Sequence, residues 1–320
     1  MHKKADDLYR TSGSQSVKMT FKFSFFSFKK KMWILLLIFV FFIIYCFLQR
    51  NAHELFFRNR LSVNFLNKKE GCKVLTNPYD SYIENMKPQE MKYKNCTTSS
   101  TNIFLFDECK TTYCDSVLEW TPNEKKAILW VISSLSSFLQ SHYPKFNSTR
   151  WTLLKLSNKI EKGLPHTRLD VIVLPEDSVT RLLKIYKKKE KNSTGPLRSE
   201  TPLRGALKDM GKILLHEQFH IFFKNSSTLH PFYEEVWNFR KVDFVPESQY
   251  LNPDTLTSKW ILQSPVESNT FCLHTLDHPD EIAANFWSEI ILDGMHVIHL
   301  SLFKKKCLQD FRNYVTVSLN

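Results

Sequence analysis

The hydrophobic positions of this chain fall into one unbroken apolar run, several helical stripes and two short strand-like runs. The unbroken run, MWILLLIFVFFIIYCFL at residues 32–48, carries no charge over 17 residues. That is the short end of what spans a bilayer, and a thin endoplasmic reticulum or Golgi membrane would suit it. Further on, Ile128, Val131, Ile132, Leu135, Phe138 and Leu139 recur at helical spacing. They follow Thr121, Pro122 and Glu124, which supply an N-cap, a first-position proline and a capping box. The spacing predicts a helix over residues 121–140. RWTLLKL (150–156) and RLDVIVLP (168–175) have the Val, Ile and Leu content of strands, and Pro175 closes the second. Residues 177–191 start in helical register and pass into a lysine-rich stretch, read as a solvated surface loop. A second capped helix starts at Thr201 and Pro202 and runs through ILLHEQFHIFF (213–223); a third starts at Pro279 and continues to Phe303. No internal repeat is visible. Helix, strands, helix, loop, helix predicts an α+β fold.

Between the apolar run and the first helix, residues 49–115 are polar and lack long periodicity. They hold four of the seven cysteines: Cys72, Cys96, Cys109 and Cys114. This part reads as an irregular stem that disulfides would have to hold, because it offers little continuous core. The expected organisation is a basic tail (1–31), a membrane anchor (32–48), a cysteine-containing stem (49–115) and a folded domain (116–320).

Charge refines this picture. The chain carries a net +12, and residues 1–31, with seven Lys and one Arg against two Asp, account for +6 of it. The remainder is only mildly basic and contains no nucleic-acid-binding signature, so a nucleic-acid partner is not expected. Lys29, Lys30 and Lys31 sit directly before the apolar run. A 31-residue leader, an overlong apolar core and no small-x-small site before Gln49 favour a retained anchor over a cleaved signal peptide. The positive-inside rule then leaves the tail in the cytosol and everything after Leu48 in the lumen of the secretory pathway, a single-pass type II arrangement. Glycosylation sequons at Asn95, Asn147, Asn192 and Asn225 all lie beyond the anchor. So do six cysteines, an even number that fits an oxidising lumen; their fifteen possible pairings stay open from spacing alone.

The chemistry is concentrated in ILLHEQFHIFF. Two histidines and a carboxylate inside an apolar helix need a compensating partner. His216 and His220, four apart, share one helical face, so two ring nitrogens can reach one Zn²⁺ at about 2.0–2.1 Å. Glu217, beside the first histidine, can take a proton from water held on such an ion. This H-E-x-x-H pattern resembles the zinc metallopeptidases called zincins. The extended metzincin form fails, because Phe223 and Ser226 stand where its glycine and third histidine belong. What remains resembles gluzincins, over about ninety residues from Thr201 to Trp287, and implies a glutamate on a later helix as third ligand.

Glu281, in EIAANF and 61 residues after His220, fits that role, with Asn285 one turn on where gluzincins often carry a residue orienting a ligand histidine. Glu234, Glu235, Asp280 and Glu289 are competitors, Glu289 the most serious. The resemblance further implies a peptide or protein substrate aligned along an edge strand, with RLDVIVLP as the candidate. For the oxyanion, His230, Tyr233, Tyr250, His274 and His278 lie between or near the ligands, the last two preferred. Cys272 and Cys307 bracket the Glu281 helix and form an expected bridge. The expectation is a membrane-anchored zinc metallopeptidase with Glu217 as its base. Its rivals are a lumenal binding or adhesion protein with a structural or degenerate zinc site, and a zinc hydrolase acting on an ester or glycan amide.

Overall fold

The computed structural model describes Phe39 and residues 62–96, 105–147, 150–192, 201–224, 226–243, 260–262 and 278–319. The chain divides into two units, Met1–Arg58 and Asn59–Asn320. All the described residues but Phe39 belong to the second. Among the described residues, no helix is long and apolar enough to cross a membrane. The expected anchor lies outside them apart from Phe39, as do the basic tail, Asn225, Tyr250, Cys272 and His274.

The fold is α+β, mostly helical around a mixed five-stranded sheet. In chain order come β1 (Val63–Phe65), α1 (Lys68–Leu75), α2 (Pro88–Tyr93), α3 (Leu105–Ser116), β2 (Val117–Leu118), α4 (Pro122–His142), α5 (Pro144–Asn147), β3 (Trp151–Leu156), β4 (His166–Arg168) and β5 (Val171–Pro175). Then follow α6 (Glu176–Asn192), α7 (Thr201–Ala206), α8 (Lys212–Phe223), α9 (His230–Glu235), β6 (Phe239–Lys241), β7 (Trp260–Leu262), α10 (Pro279–Gly294) and α11 (Leu302–Leu319). The sheet runs β1-β3-β5-β4 with β2 also on β3; β1, β3 and β5 are parallel, β2 and β4 antiparallel to their neighbours. β6 and β7 form a separate antiparallel pair.

Strand alternation sorts the side chains into two layers. Trp151, Leu153, Ile172 and Leu174 face one core with α4, α6, α8, α10 and α11; Leu154, Leu156, Val171 and Val173 face another beneath α1–α3. The expected stripe of α4 is its buried face, with Ile128, Val131, Ile132, Leu135 and Leu139 fully enclosed. Full burial of one such side chain stabilises by roughly 1.5–3 kcal/mol. The expected capping box is present at Thr121 and Glu124. Glu124 also makes a buried ion pair with Lys155 of β3 at 2.9 Å.

Three readings are corrected. The described residues between 63 and 116 are not irregular: they supply an edge strand and three helices that form one layer of the fold. Gly71 lets α1 lie directly on the sheet, since a Cβ there would stand 2.3 Å from Leu154. The layer is stapled by Cys72–Cys114 and Cys96–Cys109. The lysine-rich stretch is no loop but the end of α6. Lysine is a good helix former, Lys189 and Lys191 favour the dipole in the last turn, and Lys189 lies over the Trp130 and Tyr186 rings. RLDVIVLP is not one edge strand: Leu169 turns the chain with φ 55°, separating Arg168 of β4 from internal β5. The edge is β4.

Helix termini also differ. α10 stops at Gly294, where His296 with φ 56° diverts the chain, and a separate helix α11 follows. The helix expected from Thr201 runs on to Phe223, but a π-helical turn at Leu207–Gly211 separates α7 from α8. The extra residue in such a turn re-aims those beyond it, here the segment that carries His216 and His220.

Candidate metal centre

α8 and α10 pack along one another. Leu214, Leu215 and Phe219 of α8 and Ala283, Ala284 and Trp287 of α10 are buried in the common core. This leaves His216, Glu217 and His220 toward the start of α10. That start is fixed by His278, whose Nδ1 accepts the backbone N–H of Asp280 at 3.2 Å, and by Pro279 at the first helical position. Glu281 therefore stands in the first turn.

The three expected ligands converge. His216 Nε2 lies 3.1 Å from His220 Nε2 and 3.2 Å from Glu281 Oε2, and His220 Nε2 lies 3.3 Å from Glu281 Oε1. One donor atom from each falls within 4.8 Å of the others, a group that could hold a metal ion. Atoms at about 2.0–2.1 Å from one tetrahedral ion stand roughly 3.3 Å apart, close to the nearest separations here, so the group could hold a metal ion. Proton counting agrees. An imidazole nitrogen has one in-plane proton or lone pair, yet each Nε2 here faces two partners. Hydrogen bonding alone would have to share that single direction, whereas an ion between the three uses each lone pair once.

Of the competitors, Glu289 points elsewhere, to Lys304 at 2.7 Å and Lys212 at 3.6 Å. Burial alone would raise the Glu281 carboxyl, but the two imidazoles beside it hold it well below the usual carboxylate range. The side chains of His216 and Glu281 keep 16% and 18% of their exposure, so the group is reachable from solvent.

Glu217 is buried, at 3% exposure. Burial raises its carboxyl above the ordinary value, the His216 and His220 imidazoles working against that and Glu281 with it. Thr167 of β4 donates its hydroxyl to Glu217 Oε2 at 2.9 Å and lies 3.2 Å from the Glu217 carbonyl. Nothing in the sequence marked Thr167: a lone threonine in a three-residue strand has no motif, and its partner lies 50 residues on.

Asn285 is half-buried one turn beyond Glu281, but its side-chain amide makes no hydrogen bond to either imidazole among the described residues; its carbonyl accepts from Ser288 Oγ. His278, an expected oxyanion candidate, caps its own helix through Nδ1. His230 packs against Trp260, and the buried Tyr233 is pushed well above its ordinary value by burial and by Asp280. Asn95 is exposed and its amide donates to the Lys159 carbonyl, while Asn147 is half-buried and donates to Gln140. Asn192 ends α6. The four cysteines of the first layer engage one another, while Cys272 and the Cys307 side chain, the expected bridge, lie outside the described residues. The two disulfides suggest an oxidising compartment, secretory or extracellular.

Compared with protein-family models, curated proteins and solved structures, the chain matches none.

Proposed function

We propose that the chain is a membrane-anchored, zinc-dependent hydrolase of the secretory pathway, zincin-like in its site and acting on amide bonds of a peptide or protein. The observation that carries this is the convergence of His216, His220 and Glu281 beside a buried carboxylate that is not a ligand. A purely structural zinc site has no use for such a neighbour, since it closes its coordination with four protein ligands. His216, His220 and Glu281 would hold the ion. When bound, it would supply Lewis acidity, polarising a carbonyl and making water easier to deprotonate.

The protein's own groups do the rest. Glu217 accepts the proton of the attacking water on its carboxylate and returns it to the departing amine nitrogen. Its enclosure, which raises the carboxyl, makes it a stronger base than an exposed glutamate. Thr167 fixes one carboxylate oxygen. The type II topology, with the catalytic unit lumenal, rests on Lys29–Lys31 before the apolar run and on the oxidised cysteines of the Asn59–Asn320 unit.

Metal analysis of the purified full-length protein, with a peptide-library cleavage assay, tests the reading. Zinc at one equivalent is expected. Glu217→Gln should keep that zinc and lose hydrolysis, on the order of 10²–10⁴-fold for a general base. Equal cleavage by wild type and Glu217→Gln would refute the assignment. Zinc without cleavage in either would support a lumenal binding protein.

A further inference from the structure

We propose that Thr167 is the positioning residue of Glu217, held in place by a buried charge cluster that clamps β4 to the disulfide-bonded layer. The inference rests on the hydrolase reading above and extends it to the opposite face of the sheet.

β4 has only three residues and, among the described residues, pairs on one side alone, with β5. Such a strand is a poor support unless something else secures it. Alternation along it sends Thr167 one way and His166 and Arg168 the other. Thr167 pairs with Ile172, whose side chain faces the α8 and α10 core; its neighbours pair with Val173 and Val171, which face the layer of α1–α3. On that second face Arg168 is fully buried. Its Nε donates to Asp80 Oδ2 at 2.5 Å, its Nη2 donates to the Leu75 carbonyl at 2.9 Å, and its guanidinium lies over the Tyr82 and Tyr113 rings. His166 stacks on Tyr82, with ring centroids 5.4 Å apart.

The chain enters β4 through Glu161, Lys162 and Gly163, at φ 54°, 50° and 70°, and leaves it at Leu169, φ 55°. Non-glycine residues in the left-handed region persist where their surroundings over-determine them. Glu161 meets that condition: its carboxylate accepts the hydroxyls of Tyr82 and Tyr113 and pairs with Lys94 Nζ at 2.9 Å. The entry to β4 and one face of it, down to its last residue Arg168, are thus fixed from the disulfide-bonded layer. The remaining face offers a single hydroxyl, which reaches the carboxylate and the backbone carbonyl of the same glutamate. With one carboxylate oxygen tied to a rigid strand, the direction of the other is set as well. A base must stand within hydrogen-bond reach of the proton it takes, and small misplacements are expensive in rate.

The test uses the full-length zinc-loaded protein. Thr167→Val should lower kcat by about 10- to 100-fold, with KM within about threefold and zinc content unchanged. Thr167→Ser, which keeps the hydroxyl, should restore kcat to within about threefold of wild type. A structural methyl contact would give the opposite order, with Val tolerated and Ser poor. Asp80→Asn should speed hydrogen exchange at residues 166–168 and lower kcat with zinc retained. A readout independent of hydrolysis separates this proposal from the functional one: Thr167→Val should lower the melting temperature in wild type but not in Glu217→Ala, with Glu217→Met as the alternative background if alanine does not fold. Absence of that coupling overturns the proposal, as does zinc loss in Thr167→Val, a Ser variant as slow as Val, or an unmoved Asp80→Asn. Coupling present with no cleavage by wild type would overturn the hydrolase reading alone.

Discussion

His166 makes the stability of this protein depend on pH in a window set by its burial. The ring is 3% exposed and stacked on Tyr82, and its Nδ1 lies 3.4 Å from the Leu164 carbonyl. Burial is the main cause that pushes it down to about 4; Glu161 opposes the shift, Lys94 and Arg168 add to it, and the Leu164 carbonyl opposes it. In the unfolded chain the same imidazole titrates near 6.5. Above that value neither state binds the proton and full stability is present. As pH falls toward about 4 the unfolded state is protonated and the folded state is not, so stability is progressively lost. Roughly two and a half pH units at about 1.4 kcal/mol each make the loss on the order of 3 kcal/mol. That is a large share of a typical 5–15 kcal/mol.

The assay is urea unfolding of the Asn59–Asn320 unit, disulfides intact, from about pH 7.5 to about pH 4. A chelator is included so that no ion leaving the triad contributes. His166→Phe keeps a ring over Tyr82 and cannot titrate. Other carboxylates destabilise both proteins as pH falls, so the quantity read is the difference between them. Wild type should lose about 3 kcal/mol relative to His166→Phe across the window. A difference that does not change with pH would refute the reasoning.

Removing Cys72–Cys114, which closes a 42-residue separation, should destabilise by about 4 kcal/mol, and removing Cys96–Cys109, at 13, by about 3 kcal/mol; calorimetry of the Cys→Ala pairs checks both the order and the size. His216→Ala or His220→Ala should abolish zinc binding, and Glu281→Gln should weaken it, measured as zinc retained after dialysis; full retention in any of the three would remove that residue from the ligand set. Protease added to sealed microsomes should digest only the tail ahead of residue 32, and cleavage of the Asn59–Asn320 unit from outside would reverse the topology. Non-reducing peptide mapping should join Cys272 to Cys307, the two cysteines left beyond the apolar run once the first layer is paired; a free thiol at either overturns that pairing.

What could be read in the sequence were features fixed by a local backbone period. The α4 stripe and its capping box repeat within a few residues, so Thr121, Glu124 and Ile128 declare themselves. The His216–His220 pair is set by one helical turn and was equally plain. The first layer was not legible for a different reason. Its helices are short, eight, six and twelve residues in α1, α2 and α3, and helices of that length owe their stability to tertiary packing rather than to their own sequence. Here the packing comes from β3 and β5, whose relevant side chains stand some 40–100 residues later in the chain. The lysines of α6 misled in the other direction, because charge density reads as solvation while straight-chain side chains favour helix.

The site divides along the same line. Both histidines come from one turn of α8, but Glu281 arrives across the packing of α8 on α10, and Thr167 across the sheet edge. Motif spacing can name the first pair, and chemistry can demand a third ligand. Neither can name a residue whose only qualification is that a strand ends beside Glu217. That strand is secured by Asp80, Lys94 and Glu161, and two of these three belong to the part expected to be irregular. The metal ligands alone would leave the first layer dispensable, a spacer between membrane and enzyme. On the proposed reading, the buried contacts beneath β4 make it part of what positions Glu217, so removal of the residues up to Ser116 should destroy more than an attachment.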